Sequence, residues 1–299
     1  MSSDTKAIVQ VLFPMGGLGS RFADAGEPTP KPLIDLSAEP GKTPYEPMIG
    51  KAVSSFKRLA SKISIRPIFI VRKEHNDEHK LSDKIRALGV FTDPQFVELA
   101  RNTGGAVETC MEAAPMVDPR YPIVVMDCDL YFQSAQYETK LLALAERAAR
   151  IAGGAEPAEA EAAVEKEGLK DVDGLLLFFN SKNKRYSYAK FQEGTESADG
   201  SFGRVERTAE KDPISPNALI GAYGFATGAA FVKASRELLA QPLDETKGRK
   251  EYYLSLLYNF LLRDGRGVVA VRMDEYGSFG TPEELALFRA GKQSYVTEA

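Results

Sequence analysis

The chain has 299 residues, enough for one large domain or two small ones, and contains 43% hydrophobic and 27% charged residues. This composition is typical of a globular protein and excludes fibrous, collagen-like and disordered chains. The net charge of -4 argues against a nucleic-acid partner, because no broad basic surface is available to neutralise phosphates.

Cysteine usage and hydropathy indicate where the protein works. The two cysteines, Cys110 and Cys128, lie in apolar segments, as buried thiols of a reducing compartment do. The N-terminal residues lack the layout of a secretory signal, and no apolar run reaches the roughly 18 to 20 residues that span a bilayer. We therefore expect a cytoplasmic protein without a membrane partner, and a homo-oligomer is compatible with the sequence.

The first half of the chain alternates short apolar strands with helical patterns. Strands are predicted at 7–13, 67–71, 95–99 and 123–126, and helices at 46–60, 78–88 and from about 104. Continuously apolar strands separated by helices indicate a parallel sheet covered on both faces. In such a sheet, ligands bind beyond the carboxyl ends of the strands.

The second half predicts a mixed layer of strands and helices after an inserted segment. Residues 138–170 are rich in Ala and Glu and predict a mostly exposed helical pair, broken near 153–157. The elements predicted beyond it are strands at 174–179, 186–192, 205–208, 220–225 and 268–273, and helices from about 229 and over 249–262. A final helix is predicted after Thr281, with Pro282 at its first position and Glu284 three residues after the cap.

The motif FPMGGLGSRF directly follows the first predicted strand. Gly16, Gly17 and Gly19 let the backbone approach a ligand closely and present N–H groups to phosphate oxygens. Arg21 and, further along, Lys31 add positive charge. The motif therefore predicts a phosphate-binding loop, and the alternative is a tight turn with solvated cations.

Other known motifs fail on spacing or context. A dinucleotide fingerprint would need glycine at Phe22, and the Walker A pattern around 41–43 has Leu36 where its first glycine belongs. The sequence HNDEH at 75–79 matches a metalloprotease pattern, but it lies in a charged run that reads as the exposed start of a helix. It contains both histidines of the chain, which disfavours a Ser-His-Asp or Cys-His mechanism.

The motif VVMDCDLYF ends an apolar strand in two acids. Period-2 alternation points Asp127 and Asp129 to the same side, where their oxygens could hold Mg²⁺ against a polyphosphate. A loop cap or an ion pair is the alternative.

Two further motifs suit a nucleotide and an acceptor. Gly104 and Gly105 open a helix and could lie against a base or an anion, or could simply begin the helix. Glu210 and Lys211 could bind the hydroxyls and phosphate of an acceptor, or could form a solvated ion pair.

Glycine turns, cations and paired acids suit phosphoryl or nucleotidyl transfer, which consists mostly of positioning and charge stabilisation. An attacking phosphate oxygen is already ionised at neutral pH, so no histidine base is needed.

Taken in order, the motifs PMGGLGSRF, KPLIDL, DCD, YSYAKFQ, EKDPIS, GAYGF and FGTPEELALF resemble those of the sugar-phosphate nucleotidyltransferase family. The resemblance covers 9–288 apart from the insert. It implies an α/β fold of the Rossmann-like GT-A type, a three-layer αβα sandwich with a mainly parallel central sheet and an inserted helical segment. We predict a single domain over 1–299, with an NTP-binding half at about 1–135, the helical insert at about 136–172 and an acceptor-binding half at about 173–299.

Members of this family join an NTP to a sugar 1-phosphate, or to another small phosphorylated compound, and release pyrophosphate with the help of Mg²⁺. The resemblance implies these roles: Gly16, Gly17, Gly19, Ser20, Gly104 and Gly105 bind the nucleotide, Arg21 and Lys31 are catalytic, Asp129 with Asp127 binds the metal, and Glu210, Lys211, Gly221 and Tyr223 bind the acceptor.

One position departs from the family pattern. Ser278 stands where sugar-1-phosphate members have a second metal-binding aspartate, so that ligand stays open, with Asp274 or water as candidates. The motifs read most like a branch associated with capsule and surface-polysaccharide genes. Two other functions also stay open. One is a GT-A glycosyltransferase, in which DCD would be a metal-binding D-x-D motif and a nucleotide sugar would be consumed. The other is a non-catalytic nucleotide-binding protein, which only Ser278 favours.

Overall fold

The computed structural model describes residues 6–37, 39, 44–243 and 250–297. The strands in this part of the chain are β1 (Ile8–Met15), β2 (Ser64–Arg72), β3 (Gln95–Leu99), β4 (Ile123–Met126), β5 (Leu130–Gln133), β6 (Val172–Asn180), β7 (Ser187–Phe191), β8 (Phe202–Glu210), β9 (Asn217–Phe225), β10 (Gly267–Arg272) and β11 (Glu275–Ser278). The helices are α1 (Ser20–Asp24), α2 (Met48–Ser54), α3 (Lys57–Ala60), α4 (Lys73–His79), α5 (Leu81–Ala87), α6 (Ala106–Met111), α7 (Ala135–Ala152), α8 (Pro157–Lys166), α9 (Gly228–Leu239), α10 (Leu257–Arg263) and α11 (Pro282–Arg289).

Nine strands form one sheet in the order β3-β2-β1-β4-β9-β6-β10-β8-β7. β3, β2, β1 and β4 are parallel, as predicted, whereas β9 is antiparallel to both of its neighbours. β8 is antiparallel to β10 and β7. The expectation of a mainly parallel sheet is therefore wrong, and the sheet is mixed. The strands β6, β7, β8 and β9 follow one another without a crossover helix, so no βαβ unit makes them parallel. Of these four, only β7 and β8 are both consecutive and paired, as an antiparallel hairpin, whereas β9 inserts between the distant strands β4 and β6.

Both faces of the sheet are covered by helices. Along β1, the alternate residues Val9, Val11 and Phe13 enter one core, and Leu12 enters the core on the other face. The ring of Phe13 stacks on that of Phe69 from β2, with the centroids 5.0 Å apart. The continuous apolar run of β1 is explained by this burial on two sides.

The helical segment predicted as an exposed insert is partly core. Tyr137, Leu141 and Leu144 of α7 are buried in the larger core, and α7 packs against β1. The Lys140 ammonium is also buried and donates a hydrogen bond to the Glu167 carbonyl. The Ala- and Glu-rich composition conceals the apolar stripe of α7, and the expectation of a mostly exposed segment is wrong for this helix.

Other predicted helices differ in their bounds. The helix predicted at 46–60 is divided into α2 and α3, and the Ser55 hydroxyl at the break accepts a hydrogen bond from the Phe132 N–H. The last turns of the helix predicted at 249–262 are present as α10, while its first residue and the 41–43 segment lie outside the described residues. In the described part of the chain, no helix has the length and apolar character needed to cross a membrane.

The short strands β5 and β11 were not predicted, and they form a separate antiparallel pair. Their pairing places Ser278 opposite Leu130, directly after Asp129. The N–H of Phe279 also donates to the Asp129 carbonyl at 3.0 Å. This pair therefore brings the segment before α11 beside the acids that follow β4.

Candidate active site

A cleft lies at the carboxyl ends of β1 and β4. The strand order reverses at this point, because β2 and β3 lie on one side of β1 and β4 lies on the other. The cleft consists of three adjoining cavities, named here by their lining. These are the glycine-lined cavity of about 600 Å³ (Gly16, Gly17, Gly104, Gly105), the central cavity of about 250 Å³ (Gly19, Lys31, Asp127, Asp129) and the tyrosine-lined cavity of about 290 Å³ (Tyr186, Tyr223, Tyr253, Tyr276). Gly17 lines the first two cavities, and both aspartates line the last two, so the cavities are continuous.

The glycines after β1 are required for different reasons. At Gly16 a Cβ atom would come within 2.7 Å of the Leu99 side chain, whereas at Gly17 it would meet no protein atom within 4 Å. Gly19 has a left-handed φ of 67° and caps α1. Gly17 is thus the position where the backbone is open to a ligand, and Ser20 lines the same cavity.

Arg72, at the end of β2, ties two loops of the glycine-lined cavity together and was missed in the sequence. Its side chain is 5% exposed. Its Nη1 donates to the Gly16 carbonyl and to Asn102 Oδ1, each at 3.0 Å, and its Nη2 donates to Glu74 at 2.9 Å. The only sequence feature that could have pointed to it is an arginine directly after a buried apolar run.

Gly104 and Gly105 precede α6, as predicted, and pack against residue 252. A Cβ atom at Gly105 would come within 2.6 Å of the Tyr252 N, and the Tyr252 N–H donates to the Gly104 carbonyl at 2.9 Å. The Val107 N–H donates to the Tyr252 carbonyl in return, at 3.1 Å. Glycine is therefore required at 105 by contact with the Tyr252 backbone and not by a ligand, although both glycines also line the cavity.

The central cavity holds a cation and two carboxylates. Lys31 Nζ forms an ion pair with Asp129 Oδ2. Burial lowers the pKa of Lys31, but the charge and hydrogen bond of Asp129, together with the neighbouring Cys128 and Asp127, outweigh this and raise that pKa to about 12. Burial and the Asp129 charge raise the pKa of Asp127. Both acids sit on the turn between β4 and β5 and face the same cavities, as their spacing predicts.

Glycines allow the two acids to approach the neighbouring backbone. Gly221 has φ of 87°, and a Cβ atom there would lie 2.9 Å from Asp127 Oδ2. At Gly280 a Cβ atom would lie 2.5 Å from Asp129 Oδ2. Side chains at these two positions would displace the carboxylates.

The donor set fits Mg²⁺ better than a metal held by protein alone. No group of three or more His, Cys, Asp or Glu side chains is arranged to hold a metal within 6–37, 39, 44–243 and 250–297. Asp127 and Asp129 supply hard oxygen atoms at the junction of two cavities, and Mg²⁺ is commonly held by one or two carboxylates together with substrate phosphates. Asp274, considered as a further ligand, does not line the cleft; its Oδ2 accepts a hydrogen bond from the Ala135 N–H at 2.7 Å.

Glu210 and Lys211 lie in the tyrosine-lined cavity. The Glu210 carboxylate accepts hydrogen bonds from the hydroxyls of Ser187 at 2.6 Å and Ser255 at 2.8 Å. Lys211 has φ of 54°, and its ammonium donates to the Tyr253 hydroxyl at 3.0 Å. The two side chains therefore do not form the solvated ion pair that was the alternative reading.

The cations of the cleft differ in their partners. Arg185 pairs with the buried Glu284 at 2.9 Å, as Lys31 pairs with Asp129. Among the described residues, neither Arg21 nor Lys211 has a carboxylate within 4.0 Å of its charged nitrogens. With no carboxylate of the described residues beside them, these two cations line the tyrosine-lined cavity and are available to an anionic ligand.

Except for Asp274, every residue to which the sequence assigned a role in binding or catalysis lines this cleft, although the segments that carry them are far apart in the chain. They are Gly16, Gly17, Gly19, Ser20, Arg21, Lys31, Gly104, Gly105, Asp127, Asp129, Glu210, Lys211, Gly221 and Tyr223. Sequence reasoning missed Arg72, Arg185 and Glu284. Glu284 was noted only as a capping residue, yet its carboxylate accepts from the Gly280 N–H at 3.0 Å and holds Arg185.

Comparison with solved structures shows similarity over nearly the whole chain. A nucleoside-diphosphate-sugar pyrophosphorylase from Vibrio cholerae RC9 is 25% identical, with a TM-score of 0.69 over 94% of this chain and 99% of that one. A UDP-glucose pyrophosphorylase complexed with UDP-glucose is 13% identical, with a TM-score of 0.63 over 95% and 98%. A UTP-bound UGPase from Acinetobacter baumannii is 15% identical, with a TM-score of 0.61 over 95% and 93%. Neither a protein-family model nor a curated protein matches the sequence.

Proposed function

We propose that this chain, which belongs to the sugar-phosphate nucleotidyltransferase family as its motifs predict, transfers an NMP from an NTP to a sugar phosphate or another small phosphorylated metabolite, releasing pyrophosphate. The observation that carries the proposal is the convergence of all the predicted residues on one continuous cleft. Solved structures with this fold include a UTP complex and a UDP-glucose complex, which supports a nucleotide in the cleft.

The cavities suggest how the substrates divide the cleft. The NTP lies in the glycine-lined cavity, built mainly from the 1–135 half with Lys250 and Glu251 added, and the acceptor lies in the tyrosine-lined cavity, built mainly from the 173–299 half. The helices on both faces of the sheet support a GT-A-like three-layer arrangement. Buried, unbridged thiols at Cys110 and Cys128 support a cytoplasmic location, and surface-polysaccharide synthesis is the process we favour from the motifs.

The residues supply positioning and charge. An oxygen of the acceptor phosphate attacks the α-phosphorus of the NTP, the bond to the bridging oxygen breaks, and pyrophosphate leaves with the electron pair. Arg21 and Lys31 stabilise the negative charge that develops on the phosphoryl oxygens. Asp127 and Asp129 would hold Mg²⁺, which when bound neutralises phosphate charge.

A thermal-shift series tests the proposal. Unfolding is followed with ATP, CTP, GTP, UTP and dTTP, each with and without Mg²⁺, and with UDP-glucose. A ligand at about 100 times its Kd adds about 2.7 kcal/mol to stability, so one NTP should stand out. Pyrophosphate release with that NTP and a set of sugar 1-phosphates then identifies the acceptor. Stabilisation by a nucleotide sugar alone, without pyrophosphate release, would favour the glycosyltransferase.

Gly17→Ala is expected to weaken NTP binding by about tenfold without changing stability, because the added methyl group meets no protein atom but occupies the phosphate-binding surface. Gly16→Ala is the matched comparison. Its Cβ atom would collide with Leu99 and should lower the free energy of unfolding by about 1–3 kcal/mol. Unfolding curves and NTP titrations of both variants check the prediction; wild-type NTP affinity in Gly17→Ala would contradict it.

Arg72→Met is expected to lower the free energy of unfolding by about 1–3 kcal/mol, because it leaves the Gly16 carbonyl and Asn102 without their buried donor. NTP affinity, measured where both proteins are folded, should also fall. Glu74→Gln is the control, since Glu74 is largely exposed and the two loop contacts of Arg72 remain. Equal NTP affinity in Arg72→Met and wild type would show that Arg72 stabilises the fold but does not contribute to NTP binding.

A further inference from the structure

Three consecutive residues near the end of the described chain contact three residues that line the tyrosine-lined cavity. Ser294, Tyr295 and Val296 are called the supporting segment here. They contact Ser278, Tyr276 and Tyr186 respectively. The supporting segment does not line the cavity itself, and it lies behind the wall that does.

Two of these contacts are hydrogen bonds to defined groups. The Ser278 N–H donates to Ser294 Oγ at 3.0 Å, and both residues are buried. The Val296 N–H donates to the Tyr186 hydroxyl at 3.0 Å. The Val296 carbonyl in turn accepts from Ser181 Oγ at 2.7 Å, which fixes the segment to the end of β6.

The third contact is aromatic. The Tyr295 ring packs against those of Tyr276 and Phe179, with centroid distances of 5.0 and 5.1 Å, and these two rings also contact each other at 5.3 Å. Such pairs contribute through area and geometry, and they fix the position of the rings they touch. No described hydrogen bond involves the Tyr295 hydroxyl, so its contribution is that of the ring.

We infer that the supporting segment positions the acceptor side of the cleft and thereby sets the affinity for the acceptor, an inference that rests on the proposed function. Tyr186 lies in the loop before β7 and Ser278 is the last residue of β11, and the segment contacts both at once. The glycine-lined cavity has no lining residue that touches the segment through a described hydrogen bond or ring contact. The effect is therefore specific to the acceptor.

The test compares Ser294→Ala, Tyr295→Ala and the conservative variant Tyr295→Phe with wild type. In Ser294→Ala the Ser278 amide loses its acceptor, and its hydrogen exchange should accelerate by about tenfold. Tyr295→Ala should raise the KM for the acceptor by about tenfold and leave the KM for the NTP within about twofold, because only acceptor binding is weakened. Tyr295→Phe keeps the ring and should match wild type.

The outcomes separate this inference from the proposed function. Unchanged exchange at Ser278, or equal rises in both KM values, would overturn the positioning role while leaving nucleotidyl transfer intact. If wild type stabilised by an NTP releases no pyrophosphate with glucose 1-phosphate, galactose 1-phosphate or N-acetylglucosamine 1-phosphate, these sugar 1-phosphates are excluded as acceptors. The exchange measurement then decides alone whether the segment holds the wall of the cavity.

Discussion

Asp129→Asn is expected to lower kcat/KM for nucleotidyl transfer by at least about 100-fold, because the reaction loses a carboxylate beside the phosphates. Contacts with three residues of this protein hold Asp129 in position for this role. Its side chain pairs with Lys31, its carbonyl accepts from the Phe279 N–H, and Gly280 leaves room for its carboxylate. The amide keeps the shape of the side chain but not its charge, so the loss reports on chemistry and not on space.

The fold should survive this substitution. Removal of the Asp129 charge deprives Lys31 of its partner, but it also relieves the repulsion that, in addition to burial, raises the pKa of Asp127. These two effects on stability oppose each other. Glu275→Gln is the matched control, since Glu275 is an exposed carboxylate of β11 outside the cleft. Steady-state pyrophosphate release and thermal unfolding check the prediction, and an Asp129→Asn variant that keeps a third or more of wild-type activity would refute the assignment.

The parts of the fold that could be predicted are those encoded locally. The bounds of β3 and β4 match the predicted ranges, and Thr281 caps α11, with its Oγ1 accepting from the Glu284 N–H at 3.2 Å. Strand direction in the second half could not be predicted, because it depends on which distant strands become neighbours. The four-residue strands β5 and β11 are stabilised by each other and carry little pattern of their own.

The same distinction applies to the site. Glycines, cations and acids at the ends of strands could be found in the sequence, because the carboxyl ends of parallel strands meet at one edge of a sheet. The groups that hold these residues in place could not. Arg72 and Gly16 are 56 residues apart, and Val296 and Tyr186 are 110 apart. Such contacts leave no periodic trace in the chain.

The antiparallel direction of β9 also affects the position of the site residues. β9 runs antiparallel between β4 and β6, so Gly221 on β9 meets Asp127 after β4, and the Asp127 N–H donates to the Gly221 carbonyl at 3.2 Å. The β9 residues that we propose to bind the acceptor therefore reach the acids because the sheet is not parallel throughout. Gly221 lies in the middle of β9, and in an all-parallel sheet a strand beside the end of β4 would run in the opposite direction there.

Arg21→Ala is expected to reduce kcat/KM by about 100-fold or more, through the loss of positive charge that faces the phosphates in the transition state. Arg21 is exposed in the first turn of α1, and no described carboxylate pairs with it, so stability should change by less than about 0.5 kcal/mol. The kcat/KM of Arg21→Lys should fall between those of wild type and Arg21→Ala, because an ammonium keeps the charge but lacks the planar arrangement of donors with which a guanidinium binds phosphate oxygens.

Arg207→Ala is the control for charge alone, since Arg207 is an exposed arginine of β8 that does not line the cleft. Pyrophosphate release at saturating and limiting NTP separates an effect on kcat from one on KM. A loss in kcat places Arg21 at the transition state, whereas a rise in KM with unchanged kcat places it on the bound NTP alone. Activity within about threefold of wild type would remove Arg21 from the catalytic set, because a cation on the reacting phosphates contributes far more than that.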